Sequence, residues 1–201
     1  MPAYHKYVFD SSRRALVGKF EEMYQAEDSE GFDSWYERDL RELRKTISLT
    51  ILNAYSFGRI LELGCGKGSF TQFLKKKNNE VVALDSSHTA IEKARQSFPD
   101  IDFRFGDVSE VARMSEAGER FDLVLIMCSF AYIESWREVI KMAADLSRWL
   151  YVAEYVPPDP IGFVKSPEQL IAEVEKYFVV RSKVLLNDEH CLLLAETLDA
   201  A

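Results

Sequence analysis

The sequence predicts an α/β fold, a mostly parallel sheet with helices on both faces. Three observations carry this. After Gly58, short runs apolar at consecutive positions alternate with amphipathic stretches, and strands lacking a polar face belong to a sheet covered on each side. The chain ends in two strand-like runs joined by Asn187-Asp188-Glu189, a tight turn that makes one strand antiparallel. With 201 residues, 47% of them hydrophobic, the chain can bury one ordinary core.

Two helical stretches come first. Residues 12–27 are charged and loosely periodic. Over 33–52, Ser34 and Glu37 have capping-box spacing, and Tyr36, Leu40, Leu43, Ile47 and Ile51 recur at helical period. Strands are expected at 59–63, 80–85, 101–105, 121–127 and 149–155, and helices at 69–77, 87–97, 109–117, 134–147 and 166–177. The hairpin joins 178–186 to 190–197. Pro157-Pro158-Asp159-Pro160 is a stiff loop after the fifth strand. With no repeat or long linker, the expected organisation is one compact unit: an N-terminal helical cap over 1–57, then 58–201.

Composition excludes several partners. The chain carries 25 Lys+Arg against 33 Asp+Glu, a net charge of −8. Nucleic-acid backbones and anionic membranes are therefore poor partners, because both draw on clustered basic residues. The early His5, Lys6, Arg13 and Arg14 are followed by no apolar targeting stretch, and the longest apolar run, 123–128, is too short to span a bilayer. Cys65, Cys128 and Cys191 are widely spaced without a C-x-x-C, which predicts neither zinc nor a disulfide framework and suits the cytoplasm.

The informative segment is Ile60-Leu61-Glu62-Leu63-Gly64-Cys65-Gly66-Lys67-Gly68. A strand ends in three glycines at alternate positions, where the backbone can turn sharply or touch a ligand, at the strand end where open α/β sheets bind ligands. The plain alternative is a glycine-rich strand-to-helix turn. Neither the G-x-G-x-x-G of dinucleotide sites nor the G-x-x-x-x-G-K-[ST] of phosphate loops fits. The spacing is E-x-G-x-G-x-G, and a carboxylate there would repel pyrophosphate and attract a cationic ligand such as S-adenosylmethionine, with its ammonium and sulfonium. The second strand ends in Asp85, placed to accept ribose hydroxyls. The third leads to Asp107, placed to accept from an exocyclic amine. Each aspartate could instead cap a helix. Lys67 reads as a solvated loop charge.

These residues resemble class I S-adenosylmethionine-dependent methyltransferases, from about Arg59 through the final hairpin. The resemblance implies a Rossmann-like doubly wound sheet of seven strands, order 3-2-1-4-5-7-6 with strand 7 antiparallel. It also implies N-terminal helices capping the cofactor site and S-adenosyl-L-methionine as cofactor. Glu62, Gly64, Gly66 and Gly68 match the family's glycine motif, Asp85 its ribose-binding acid and Asp107 its adenine-binding acid. Cys65, Ser86, Val108 and Met127 at the same strand tips, with Tyr36 from the cap, complete the expected cofactor site. Ser34-Trp35-Tyr36-Glu37 and the helix after it resemble small nodulation-type N-methyltransferases. The family's Pro-Gly-Gly turn before strand five is replaced by Asp145-Leu146-Ser147-Arg148.

The sequence after the fourth strand, Met127-Cys128-Ser129-Phe130-Ala131-Tyr132, lacks the Asn/Asp-Pro-Pro-Tyr/Phe motif of enzymes that methylate adenine or glutamine. It also lacks the aspartate of metal-dependent catechol-type enzymes, so no metal is expected. Cys128 reads as a structural thiol. Trp35, Tyr36, Phe130, Tyr132 and Trp136 could wall an acceptor pocket or pack the core. Tyr132 and Glu154 are the candidate catalytic residues. His88 is expected on the cofactor side, and His190 at the opposite end of the sheet. The leading expectation is N- or O-methylation of a small-molecule acceptor by direct displacement, which aligned reactants can undergo without a strong base. A noncatalytic S-adenosylmethionine-binding sensor or subunit, and a nicotinamide-dependent oxidoreductase, are the alternatives.

Overall fold

The computed structural model describes residues 2–37, 39 and 42–198. The chain opens with α1 (His5–Val8), a two-stranded hairpin of β1 (Phe9–Asp10) and β2 (Ala15–Leu16), and α2 (Phe20–Glu30). A 3-10 turn at Ser34–Tyr36 and α3 (Leu43–Leu52) follow. Then come β3 (Arg59–Leu63), α4 (Thr71–Leu74), β4 (Glu80–Asp85), α5 (His88–Ser97), β5 (Asp102–Phe105) and α6 (Val108–Glu116). The chain closes with β6 (Phe121–Met127), α7 (Trp136–Leu146), β7 (Ser147–Tyr155), α8 (Pro167–Val174), β8 (Phe178–Leu186) and β9 (His190–Thr197).

The large sheet runs β5-β4-β3-β6-β7-β9-β8, which is 3-2-1-4-5-7-6 when its own seven strands are counted. Only β9 runs against its neighbours. Side chains alternate across the sheet, and both faces are apolar. Leu61, Val82, Val124 and Val152 pack under α6, α7 and α8 with Val111, Ile140 and Leu170. Ile60, Val81, Leu123 and Tyr151 pack on the other face with Leu52, Leu74 and Ile91 of α3, α4 and α5. Each such side chain, once buried, contributes roughly 1.5–3 kcal/mol before entropy.

This packing positions the site. Parallel strands bring their carboxyl ends to one edge, and β3 pairs with both β4 and β6. The crevice where chain connections diverge therefore opens above β3. No helix among the described residues is long and apolar enough to cross a membrane.

The N-terminal region departs from the expected pattern. The helical reading of 12–27 gives way to a hairpin followed by a helix ending at Gly31, whose φ of 71° forms a left-handed cap. The helix expected over 33–52 forms only at Leu43–Leu52, and Leu40 lies outside the described residues. Trp35 and Tyr36 take φ of 59° and 51°, which a continuous helix does not allow. The capping box does not form. Ser34 instead donates its amide to Glu27 at 2.8 Å, and Glu37 turns toward the glycine loop.

Candidate active site

A cavity of about 1300 Å³ lies over the carboxyl ends of β3, β4, β6 and β7, with the N-terminal segment as its far wall. The tip of β3 supplies Glu62, Gly64, Cys65 and Gly66, and β4 supplies Asp85 and Ser86. Asp107 and Val108 follow β5, Met127 ends β6, and Tyr36 faces them from the N-terminal segment. Gly68 is set apart: a Cβ there would lie 2.6 Å from the Phe103 ring, so this glycine lets the loop pack on the sheet.

Gly64, Gly66 and Gly68 take φ of 74°, 55° and 78°, a conformation that costs other residues about 1–2 kcal/mol. At Gly66 there is a second constraint, because a Cβ would stand 2.6 Å from Glu37 and 2.8 Å from the Tyr24 hydroxyl. A valine at this position therefore collides with the N-terminal wall, so its effect is not confined to ligand space.

Asp85 receives the amides of Gly66 at 2.8 Å and Ser87 at 2.9 Å, so it fixes the glycine loop as well as facing the cavity. The N-cap of α5 is Ser87, not Asp85. Asp107 caps α6, accepting from the Ser109 amide at 2.8 Å, and bonding to Ser109 holds its carboxyl below the usual range. His88 stacks on Phe105, ring centroids 3.6 Å apart, on the β4–β5 side.

Around the glycine loop, burial pushes the carboxyls of Glu62 and Glu37 up to about 7 and raises that of Asp85. Glu62 is 2% exposed and its Oε2 has no hydrogen-bond partner among the described residues. Lys67 is not a solvated charge. Its ammonium pairs with the buried Glu27 at 2.5 Å and with Asp33 at 3.1 Å. Three carboxylates thus converge on a loop whose nearest lysine is directed elsewhere, which fits a ligand bearing a cation.

At the other end of the cavity, Glu154 is 1% exposed. It accepts the Phe130 amide at 3.0 Å, and burial lifts it to about 8. Tyr132 stands beside Trp35 at 5.3 Å and Phe20 at 5.5 Å between centroids. Phe130 and Trp136 are wholly buried in the core. Cys128 has φ of 54°, contacts the Arg44 guanidinium, and is pushed up to about 12 by burial, so it is no nucleophile at neutral pH. His190 pairs with Tyr155 in the antiparallel register. That places it at the same edge as Glu154, not at the opposite end.

Sequence reasoning missed Glu37, Tyr24 and Arg44. Glu37 carried only a false capping signal, and the others lie in charged or mixed stretches with no motif around them.

Residues 60–150 match the family model of the methyltransferase domain. A ubiquinone biosynthesis O-methyltransferase of Brucella anthropi is 33% identical over 111 residues, 53% of this chain and 40% of that one. Phosphoethanolamine N-methyltransferase 1 of Zea mays is 31% identical over 54% of this chain and 22% of its own length. The chain thus spans well under half of these curated relatives. N-methyltransferase NodS of Bradyrhizobium japonicum, solved with S-adenosyl-L-homocysteine, superposes with a TM-score of 0.68 at 21% identity over 88% of this chain and 98% of that one. The glycine loop, the acids at three strand tips and the strand order agree with that match: residues 60–150 are similar to a methyltransferase domain, and the chain has the fold of N-methyltransferase NodS.

Proposed function

We propose that the chain binds S-adenosyl-L-methionine over the glycine loop and transfers its methyl group to a small-molecule acceptor held in the outer part of the cavity. The observation that carries the reading is Glu62, a buried carboxylate with an unpartnered oxygen beneath a loop of three left-handed glycines. Bound there, the cofactor supplies an electrophilic methyl. Gly64, Cys65 and Gly66 form the floor, Asp85 and Ser86 receive the ribose, and Asp107 and Val108 flank the adenine. Met127 and Tyr36 border the reacting centre, and residues 1–57 act as the cap. The NodS complex with S-adenosylhomocysteine is compatible with this arrangement.

Tyr132 and Glu154 are assigned to the acceptor side. Glu154 accepts the Phe130 amide on its carboxylate and is lifted by burial to about 8, but that oxygen is committed to holding the backbone. An acceptor amine needs only to arrive neutral, so N-methylation is the reaction that asks least of the residues around Glu154. Its role is then to hold the 130–132 turn, and with it Tyr132, against the cavity. Cys65, Cys128 and Cys191 are free thiols, consistent with a reducing cytoplasmic setting.

The test is a titration of S-adenosylhomocysteine into the purified chain, followed by methyl transfer from labelled S-adenosylmethionine to a panel of small amines and phenols. Micromolar binding with labelled amine product is expected. No binding would end the cofactor reading, and transfer confined to phenols would end the amine preference.

A further inference from the structure

We propose that Glu37 is a direct ligand of the cofactor's ammonium, so that the N-terminal segment closes by completing the cofactor site rather than by merely covering it. This rests on the reading above that the cavity binds S-adenosylmethionine. Glu37 reaches the cavity because Lys45, itself buried, holds the carbonyls of Tyr36, Glu37 and Asp39 at 3.1, 3.2 and 3.0 Å. Glu37 is 8% exposed. One carboxylate oxygen accepts the Lys67 amide at 3.2 Å and the other accepts the Tyr24 hydroxyl at 3.2 Å.

Those two bonds are modest for a buried carboxylate, and the charges around it are mostly of its own sign. Asp85 from β4 and Glu62 from β3 both bear on it unfavourably. The Tyr24 hydroxyl from α2 and the buried Cys65 thiol complete the surround. Lys67 offers only a longer-range attraction, its ammonium being engaged by Glu27 and Asp33. A primary ammonium with three donors could serve Glu37 and the unpartnered Glu62 oxygen together. The cofactor carries one such group, on its amino-acid end.

The experiment compares two ligands on full-length protein. S-Adenosylhomocysteine carries the ammonium, whereas 5′-methylthioadenosine lacks the amino-acid end. In calorimetric titrations, Glu37→Gln should weaken S-adenosylhomocysteine ten- to a hundredfold and change methylthioadenosine less than twofold. Glu37→Asp, which keeps the charge but withdraws it by one methylene, should show the same selectivity with a smaller loss, and serves if the glutamine variant fails to fold. Equal losses on both ligands would mean that Glu37 only holds the cap, and would overturn the proposal. So would unchanged affinity for both. Wild-type protein binding neither ligand would overturn the methyltransferase reading and this proposal with it.

Discussion

On the sheet side of the cavity, Leu61, Val82, Val124 and Val152 are fully buried, and the strands they belong to are paired along their length. The backbone ending at Glu62, Asp85 and Met127 therefore has little freedom. The N-terminal wall is held differently. Glu27 pairs with Lys67 and Lys93, Glu21 accepts from Ser87 and Thr89, and Lys45 gathers three carbonyls. Apolar packing sets one wall, whereas the other adds charged latches to a smaller apolar cluster of Val8, Met23, Tyr24 and Ala90. Packing is largely indifferent to pH and salt, whereas ion pairs respond to both. The wall over the glycine loop is thus the one that conditions can loosen.

The largest expected effect breaks a latch. Lys67→Met leaves Glu27, 1% exposed, with Lys93 as its remaining ammonium partner, and removing one member of a buried pair costs about 3–5 kcal/mol. Limited proteolysis should then cut within the first 57 residues before the sheet, and urea melts should show a lost early step. Ile126→Ala, at the centre of the sheet, should cost about 2–5 kcal/mol with no selective loss of the N-terminal wall. If both variants melt alike in one step, the two walls are not separately held.

The second prediction sharpens the electrostatic half of the comparison. Glu62 is lifted by burial to about 7. The folded state keeps its proton to higher pH than the unfolded chain does, so its contribution to stability falls as pH rises from about 4.5 to about 7 and is flat beyond. Glu62→Gln should therefore stabilise the protein by about 2–4 kcal/mol at pH 8 and change little below pH 4.5. Unfolding curves taken across that range check it. A destabilised variant at pH 8 would mean that the carboxylate is satisfied without a ligand. The same variant should bind S-adenosylhomocysteine more weakly, a trade of affinity for stability at one atom.

The two walls also differ in how far the sequence discloses them. The central strands β4, β6 and β7 could be read because their near-continuous apolar runs mean burial on both faces, and the glycine spacing marked where the crevice opens. The order of the strands came from resemblance, since no periodicity encodes which strand lies beside which. The N-terminal wall stayed hidden because its partners are far apart in the chain: Glu27 and Lys67, Glu21 and Ser87, Glu37 and the Lys67 amide. A charged residue beside another charged residue gives no sign of a partner forty positions away. The Ser34 and Glu37 spacing even signalled a helix start that the left-handed Trp35 and Tyr36 forbid. Glu154 shows the same limit from the sheet side, its strand position being legible and its complete burial not.

A third prediction addresses the residue that joins the two regions. Asp85 holds the Gly66 amide and faces the cavity, so Asp85→Ala should lower S-adenosylhomocysteine affinity about ten- to a hundredfold through lost ribose bonds. It should also cost about 1–3 kcal/mol of stability, because two backbone amides lose their acceptor. A cofactor analogue lacking both ribose hydroxyls should bind weakly to wild type and be weakened little further by the substitution. Additive losses would leave Asp85 with the loop-holding role alone.

The smallest expected effect separates two roles of one carboxylate at the sheet side's outer edge. Asp107 caps α6 through Ser109, and it also lines the cavity, on the side proposed for the cofactor's adenine. Asp107→Ala removes both functions, costing about 1 kcal/mol of stability. Asp107→Asn keeps a good cap and removes the charge, so its stability should stay within a few tenths of a kcal/mol of wild type. If the carboxylate accepts from adenine, Asp107→Asn should still weaken S-adenosylhomocysteine by about 0.5–1.5 kcal/mol, the difference between a charged and a neutral acceptor. The matching inosine analogue, which has no exocyclic amine, should then bind the aspartate and asparagine proteins equally. Equal stability with equal affinity for the adenine ligand would make Asp107 a helix cap and nothing more, and adenine recognition would fall to other groups that line the cavity.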